Sequence, residues 1–319
     1  MPSTRAGPAA PLLLSLLLAP VLLASCEDAA IPLVIGRAGT ADGEFDTPRG
    51  IAAAGGRIAV VDRSGRVQVF GADGAFQRSF PVMPPGARRG FPLGVLLDAG
   101  GATWVVHTHD ASLVHYGLDG KEDSRWGVGG VKDGELGQPQ RAVLSGGGML
   151  VSDFGYEPCR RVQAFTPAGA FLRRIGGPGT EAVFQRPMGM AVDAGGVLWV
   201  ADAAGMLFRF DPGTGRFLGA VGSEGTAPGR TVWPTGVAAL PGGGVVVCEA
   251  GNHRLQRFDA DGRSLGVFGA NGPAPGEFRT PYDLAVDPPW LFVADTDNHR
   301  VQRFRIDAIP WRKGPEGGR

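Results

Sequence analysis

The chain has 319 residues, of which 31 are basic and 31 acidic, so its formal net charge is zero. This balance argues against a nucleic-acid backbone as partner, because such a partner calls for an excess of positive charge. Glycine is abundant at 53 residues, far above the roughly 7% that is average, and proline occurs 26 times. With 43% apolar residues the chain can form a core, so this composition favours many tight turns between short strands over disorder.

The first 26 residues have the features of an export signal. Arg5 is the only charged residue before Glu27, and the apolar stretch 9–22 is too short to span a bilayer comfortably. It ends in Leu23-Ala24-Ser25-Cys26, which resembles the lipobox of bacterial lipoproteins. The resemblance implies a signal peptide at 1–25, a lipid on Cys26 and a short tether at 26–31. A membrane-anchored lipoprotein of the bacterial cell envelope is therefore expected, with ordinary secretion or a misplaced start site as alternatives and the choice of inner or outer membrane open.

Two markers repeat along the rest of the chain. The first marker is a proline, and consecutive copies are separated by 44 to 48 residues. It occurs at Pro48, Pro92, Pro139, Pro187, Pro234 and Pro281. The second marker is the residue that closes a predicted strand, and it occurs at Asp62, His107, Asp153, Asp202, Glu249 and Asp295. A period of roughly 40–50 residues with four short strands in each repeat is typical of a β-propeller.

The predicted fold is therefore all-β, a six-bladed β-propeller of four-stranded antiparallel blades over residues 32–307, followed by a flexible tail at 308–319. The last repeat has no fourth strand of its own. Residues 32–36 have the pattern of such a strand and no repeat before them. We expect this N-terminal strand to complete blade 6 and close the ring, which removes open sheet edges.

The best repeats read Asp295-Thr-Asp-Asn-His-Arg-Val-Gln-Arg-Phe304, Glu249-Ala-Gly-Asn-His-Arg-Leu-Gln-Arg-Phe258 and Pro187-Met-Gly-Met-Ala-Val-Asp193. They resemble the NHL-repeat family. The resemblance implies a propeller, but such propellers include both binding modules and enzymes. Repeat 2 departs from the pattern, with His107 in place of the acid. RNA binding is known among intracellular NHL domains, yet export and zero net charge disfavour it for this chain.

Strand direction divides the turns between two faces. Glycine-rich hairpins form the face that we call the bottom, and the longer loops, before each recurrent proline and after each second strand, form the top. Arginines and aromatic residues, which are common in interfaces, occur on the top among interleaved acids, so an ordinary solvated face is the alternative. The candidate binding residues are Arg49, Gln140, Arg141, Arg186, Trp233, Arg279, Tyr282 and Asp283.

The sequence offers little for catalysis. The peptidyl-hydroxyglycine lyase, an NHL-like propeller, has zinc-binding histidines at strand starts, and the matching positions here hold one carboxylate, Asp283, and no histidine. His107, His109 and His115 could bind a metal, although drift in a divergent repeat explains them more simply. His253 and His299, like the acids that close the second strands, are interpreted as structural turn residues.

No catalytic residue, metal site or cofactor is assigned. The main hypothesis is a lipid-anchored, non-catalytic binding scaffold for a protein, peptide or glycan ligand on the top face. The alternative is a metal-dependent lyase or hydrolase at the mouth of the central channel, using Asp283 with His107 or His109.

Overall fold

The structure is a computed structural model that describes residues 31–83, 91–98 and 100–313. These residues form six sheets of four antiparallel strands, which confirms the predicted all-β, six-bladed propeller. The predicted signal peptide and Cys26 lie outside the described residues. No helix within the described ranges is long and apolar enough to cross a membrane.

Each blade is one sheet with its strands in order from the channel outward. The innermost strands are β2 Gly50–Ala54, β6 Gly94–Leu97, β10 Pro139–Ser145, β14 Pro187–Val192, β18 Pro234–Ala239 and β22 Pro281–Asp287. The second strands are β3 Arg57–Val61, β7 Thr103–His107, β11 Gly148–Asp153, β15 Leu198–Asp202, β19 Val245–Glu249 and β23 Trp290–Asp295. The third strands are β4 Arg66–Gly71, β8 Ser112–Tyr116, β12 Arg161–Phe165, β16 Met206–Phe210, β20 Arg254–Phe258 and β24 Arg300–Arg305. The outermost strands are β5 Phe76–Pro81, β9 Glu122–Trp126, β13 Phe171–Gly176, β17 Phe217–Val221, β21 Ser264–Phe268 and β1 Leu33–Ile35.

The sixth blade combines both ends of the described chain. Strand β1 lies antiparallel to β24, with Leu33 opposite Arg303 and Ile35 opposite Val301. Its neighbours in this sheet, in order, are β24, β23 and β22. The innermost strands β2 and β22 also contact each other, so blades 6 and 1 are adjacent.

The core is divided among the blade interfaces. Buried apolar residues form six clusters, one between each pair of neighbouring blades. Because a middle strand is covered on both faces, it is almost wholly apolar, as in β15, where every residue is buried. The outermost strand β9 is mostly exposed and polar instead. No blade can cover its own faces, so each depends on its neighbours for burial of apolar surface.

The segment after the last strand differs from the expected flexible tail. Ile309 is buried, Trp311 packs against Phe268 with ring centroids 6.3 Å apart, and Arg312 exchanges backbone hydrogen bonds of 2.9 and 3.0 Å with Val267. The physical reason is that β21 offers open backbone groups and an apolar ring at the outer edge of blade 5. These groups hydrogen-bond to and pack against the segment as far as Arg312.

Candidate functional site: the top of the central channel

The long loops of the top face are held by a repeated arginine–glutamine pair. In blade 6, Arg300 donates from Nε to Asp295 at 2.7 Å and from its Nη atoms to three loop carbonyls at 2.6–2.9 Å. Gln302 donates to the Glu277 carbonyl at 2.7 Å. These bonds explain the Arg-x-Gln pattern of the repeats, since a guanidinium fork can fix several carbonyls at once. The equivalent pairs are Arg66 and Gln68, Arg161 and Gln163, and Arg254 and Gln256.

The acids that close the second strands cap the loops, as predicted. Asp202 accepts the Arg186 N–H at 3.0 Å, and Asp295 accepts the Arg279 N–H at 2.7 Å. Arg300 also pairs with its strand-closing acid, Asp295. Arg66, by contrast, donates to loop carbonyls rather than to Asp62.

Two histidines join neighbouring blades. His253 Nδ1 accepts the Thr280 N–H at 3.0 Å, and His299 Nδ1 accepts the Thr47 N–H at 3.2 Å. Both histidines have a left-handed backbone, with φ of 52° and 53°. The structural interpretation of these residues is therefore confirmed: they link blade 5 to blade 6 and blade 6 to blade 1.

The second residue after each recurrent proline lies at the crowded mouth of the channel. In four blades it is glycine, because the next blade approaches closely: a Cβ on Gly50 would lie 2.6 Å from the Leu93 carbonyl oxygen, and one on Gly189 would lie 2.5 Å from that of Thr235. The full set is Gly50, Gly94, Arg141, Gly189, Gly236 and Asp283. The two exceptions carry opposite charges and belong to blades 3 and 6, which are opposite each other in the ring.

Arg141 and Asp283 meet across the channel. The Arg141 Nε atom lies 3.2 Å from Asp283 Oδ2, and both side chains are buried. The Arg141 Nη atoms donate to the carbonyls of Leu93, Gln140 and Arg49. Asp283 also accepts an N–H from blade 1. Burial raises the pKa of Asp283, and the Arg141 guanidinium opposes that shift.

An aromatic and cationic group covers this ion pair. The Tyr282 ring is buried, with the Arg49 guanidinium 5.0 Å and the Arg141 guanidinium 5.7 Å from its centroid. Trp233 makes an edge contact with Tyr282, with the two centroids 6.4 Å apart. The Trp233 side chain is 38% exposed, so its indole is the accessible part of the group.

The eight candidate binding residues differ in their exposure to solvent. Arg186, Trp233 and Arg279 are exposed on the top face, and Arg49 is half-buried. The other four were expected on the top face as well, but they are buried because the opposite charges meet inside the mouth. They are Gln140, Arg141, Tyr282 and Asp283.

Two of the three histidines considered as metal ligands contact other side chains. His107 is buried beside Tyr116, with its Nε2 3.4 Å from the hydroxyl, and burial lowers the pKa of His107. His115 lies 3.1 Å from Asp123, and His109 is exposed. None of the three histidines contacts Asp283. Over the described ranges, no group of three or more His, Cys, Asp or Glu residues is placed to hold a metal.

The buried cysteines do not supply a nucleophile either. Cys159 and Cys248 are both buried and free. Burial raises the pKa of Cys248 to about 12. A thiol with that pKa stays protonated at neutral pH and is inert.

A cavity of about 260 Å³ lies in the channel below the ion pair. Arg141 and Asp283 form its roof, and its walls come from aliphatic residues of the innermost strands as far down as Leu97 and Leu144. Sequence reasoning missed this cavity. The available signal was the run of small and aliphatic residues in each innermost strand, below a single opposed pair of charges.

The comparisons with known proteins agree with the fold. The NHL-repeat family model matches residues 231–258, which include the first three strands of blade 5. Together with the six four-stranded blades, this match confirms the predicted NHL-repeat β-propeller. No curated protein sequence matches the chain.

Several solved structures share the architecture at low identity. Virginiamycin B lyase from Staphylococcus aureus has a TM-score of 0.55 and 13% identity, with 82% of this chain and 85% of the lyase covered. A gluconolactonase from Xanthomonas campestris has a TM-score of 0.60 and 17% identity over 82% of this chain and 86% of its own. A chain of a nidogen–laminin complex has a TM-score of 0.57 and 17% identity, over 75% and 84%. These likenesses show the fold alone.

Proposed function

We propose that this NHL-repeat propeller is a lipid-anchored, non-catalytic binding scaffold of the bacterial cell envelope, with a protein, peptide or glycan ligand on its top face. The observation that carries the proposal is the exposed indole of Trp233, seated on Tyr282 directly above a channel mouth filled by internal contacts. A rigid aromatic side chain that is partly exposed and packs on a second aromatic ring is typical of a binding hot spot.

The backbone at Trp233 has an uncommon conformation that recurs in two other blades. Its φ is 49°, a left-handed conformation that is a genuine outlier for a bulky residue. The equivalent residues in blades 1 and 6, Thr47 and Thr280, have the same conformation with small side chains. The Trp233 carbonyl accepts the Ala250 N–H at 3.0 Å, which helps to hold this geometry. The conformation is therefore a feature of the repeat, and blade 5 places an indole at this position of the top loop.

Two exposed arginines occupy related positions on the top face of the neighbouring blades. Arg186 occupies in blade 4 the position that Trp233 occupies in blade 5, and its guanidinium lies 4.9 Å from the Phe154 ring centroid. Arg279 precedes the equivalent position in blade 6 and is also exposed. Arginine side chains here can bind carboxylates, sulfates or sugar hydroxyls of a ligand.

The closed mouth favours binding over catalysis. A lyase or hydrolase at the mouth would need a free acid, base or metal ligand there, but Asp283 is already shared between Arg141 and a backbone N–H. The lyase and lactonase activities of the similar structures belong to those proteins, at 13% and 17% identity. Mass-spectrometric metal analysis of untagged residues 27–319 tests this alternative. About one Zn or Ca ion per chain, lost in Asp283→Asn, would favour the enzyme.

The direction of β1 supports display of the top face away from the membrane. Strand β24 begins beside the top turn 296–299 and runs towards the bottom. Because β1 is antiparallel to it, with Leu33 lower than Ile35, the chain enters the propeller from below. A tether of six residues reaches at most about 20 Å. A lipid on Cys26 would therefore keep the bottom near the membrane and leave Trp233 facing outward.

Photo-crosslinking in the source bacterium tests the proposal. A photoreactive amino acid replaces Arg279 on the top face or, as a control, Arg263 in the bottom turn between β20 and β21; both residues are exposed. We expect a discrete crosslinked partner from position 279 that disappears when Trp233→Ala is added. A partner captured only from position 263, or one insensitive to Trp233→Ala, would contradict top-face binding.

A further inference from the structure

We infer that the lower channel is a second binding site, a cavity for one small, neutral, apolar molecule that enters from the bottom face. The cavity of about 260 Å³ is lined by aliphatic side chains from several blades, including Ile51, Val95 and Leu284, and by the polar side chains of Arg141 and Asp283. At its lower end lies Leu144, which is 51% exposed. The inference does not depend on the proposed top-face function.

The roof of the cavity decides the charge of the ligand. The Arg141 Nη atoms already donate to three backbone carbonyls, and Nε lies against Asp283. The pair is neutral overall and offers no free charge to a ligand. A charged head group would have to break the pair or remain unpaired among aliphatic walls, and both are costly. A neutral molecule avoids both of these free-energy costs.

The volume sets the size of the ligand. In another protein, an apolar cavity of about 150 Å³ binds benzene. A cavity of 260 Å³ therefore suits a bicyclic ring or a short aliphatic chain, and it is below the usual range of roughly 300–1,000 Å³ for drug-sized ligands. Indole is a suitable probe, because it is neutral, bicyclic and soluble at millimolar concentration.

NMR of the methionine methyl groups measures ligand binding at this site directly. Met190 lines the cavity, whereas Met83 lies in the loop after blade 1, outside it. Indole is titrated into residues 27–319 labelled with ¹³C at the methionine methyls, with Met190→Leu used for assignment. We expect a saturable shift of the Met190 signal and none of Met83. Failure of the Met190 signal to move in folded protein, or equal shifts of both signals, would overturn the inference.

Cavity-filling variants supply the control. Ala53→Phe and Val143→Phe each place a ring in the cavity lining, and Ala170→Phe places the same ring in an exposed bottom turn. Either filling variant should raise the apparent Kd for indole about tenfold or more, and Ala170→Phe should not change it. Two independent positions are used so that one misfolded variant leaves the other to decide. Wild-type affinity in a folded filling variant would contradict the site.

Two further titrations test separately whether the ligand must be neutral and whether the cavity is independent of the top face. Indole-3-carboxylate should bind at least about tenfold more weakly than indole; equal or tighter binding would refute a neutral ligand. Trp233→Ala should leave the indole affinity unchanged, because the indole of Trp233 lies above the roof. Loss of top-face binding in that variant with retained indole binding shows that the two sites fail separately.

Discussion

Arg141 and Asp283 meet across the central channel from opposite blades, with Nε 3.2 Å from Oδ2 and both side chains buried. They occupy the same position after the recurrent proline, where the other four blades have glycine. One ion pair thus separates the top surface around Trp233 from the cavity below.

A double-mutant cycle measures this pair. Arg141→Met leaves a buried carboxylate without its cation and should lower the free energy of unfolding by about 3 kcal/mol or more. Asp283→Asn alone should also destabilise. The double variant should cost less than the sum of the two by about 1–3 kcal/mol, as found for groups in contact. Urea unfolding checks this, and strict additivity would show that the two side chains do not interact.

The cost of Arg141→Met should depend on pH. Burial raises the pKa of Asp283 above its ordinary value, and loss of Arg141 removes the first factor that opposes this rise. A raised acid pKa costs nothing below the unfolded value near 3.8, where the group is protonated in both states. The cost grows as pH rises through the folded pKa. The difference in unfolding free energy between wild type and variant should therefore be smaller at pH 4 than at pH 7. A difference independent of pH would contradict a buried carboxylate.

The loop-holding arginine should not tolerate lysine. Arg300→Lys keeps the charge but loses the guanidinium fork that joins Asp295 to three carbonyls. The free energy of unfolding should therefore fall by about 2–3 kcal/mol. Arg305→Lys, at an exposed pair with Asp307, is the matched control and should leave stability nearly unchanged. Equal midpoints of thermal unfolding for the two variants would argue against the role given to Arg300.

The two histidine links should act locally. His299→Ala removes the acceptor of the Thr47 N–H, and His253→Ala removes that of the Thr280 N–H. Hydrogen exchange should quicken at Thr47 in the first variant and at Thr280 in the second, because each amide loses its partner at one blade interface only. The two variants control for each other. Faster exchange at both amides in either variant would indicate general destabilisation instead.

The repeat pattern predicted most of the fold. Prolines and strand-closing residues recur at a nearly constant spacing, and in blades 1 to 5 each strand pairs with its neighbours in sequence, so local patterns suffice there. The sheet containing β1 was also expected, because residues 32–36 had the pattern that the last repeat lacked. The attachment of residues 309–312 to blade 5 was missed, since that segment has no periodic pattern and its partners belong to another repeat.

The site was predicted only in part. The sequence predicted Arg141 and Asp283 as separate binding residues of the top face and did not predict their contact. Their pairing depends on the opposition of blades three repeats apart, a relationship that the six-fold order could have revealed. The burial of Gln140 and Tyr282 could not be foreseen, because it depends on how side chains of different blades pack at the centre.

The affinity of the crosslinked partner for purified protein tests the central claim most directly. Calorimetry would compare wild type with Trp233→Ala and with the bottom-face control Leu144→Ala. The account predicts that Trp233→Ala weakens binding about tenfold or more and that Leu144→Ala changes it by less than about twofold. Unchanged binding in Trp233→Ala, with a large loss in Leu144→Ala, would contradict a binding scaffold that uses its top face.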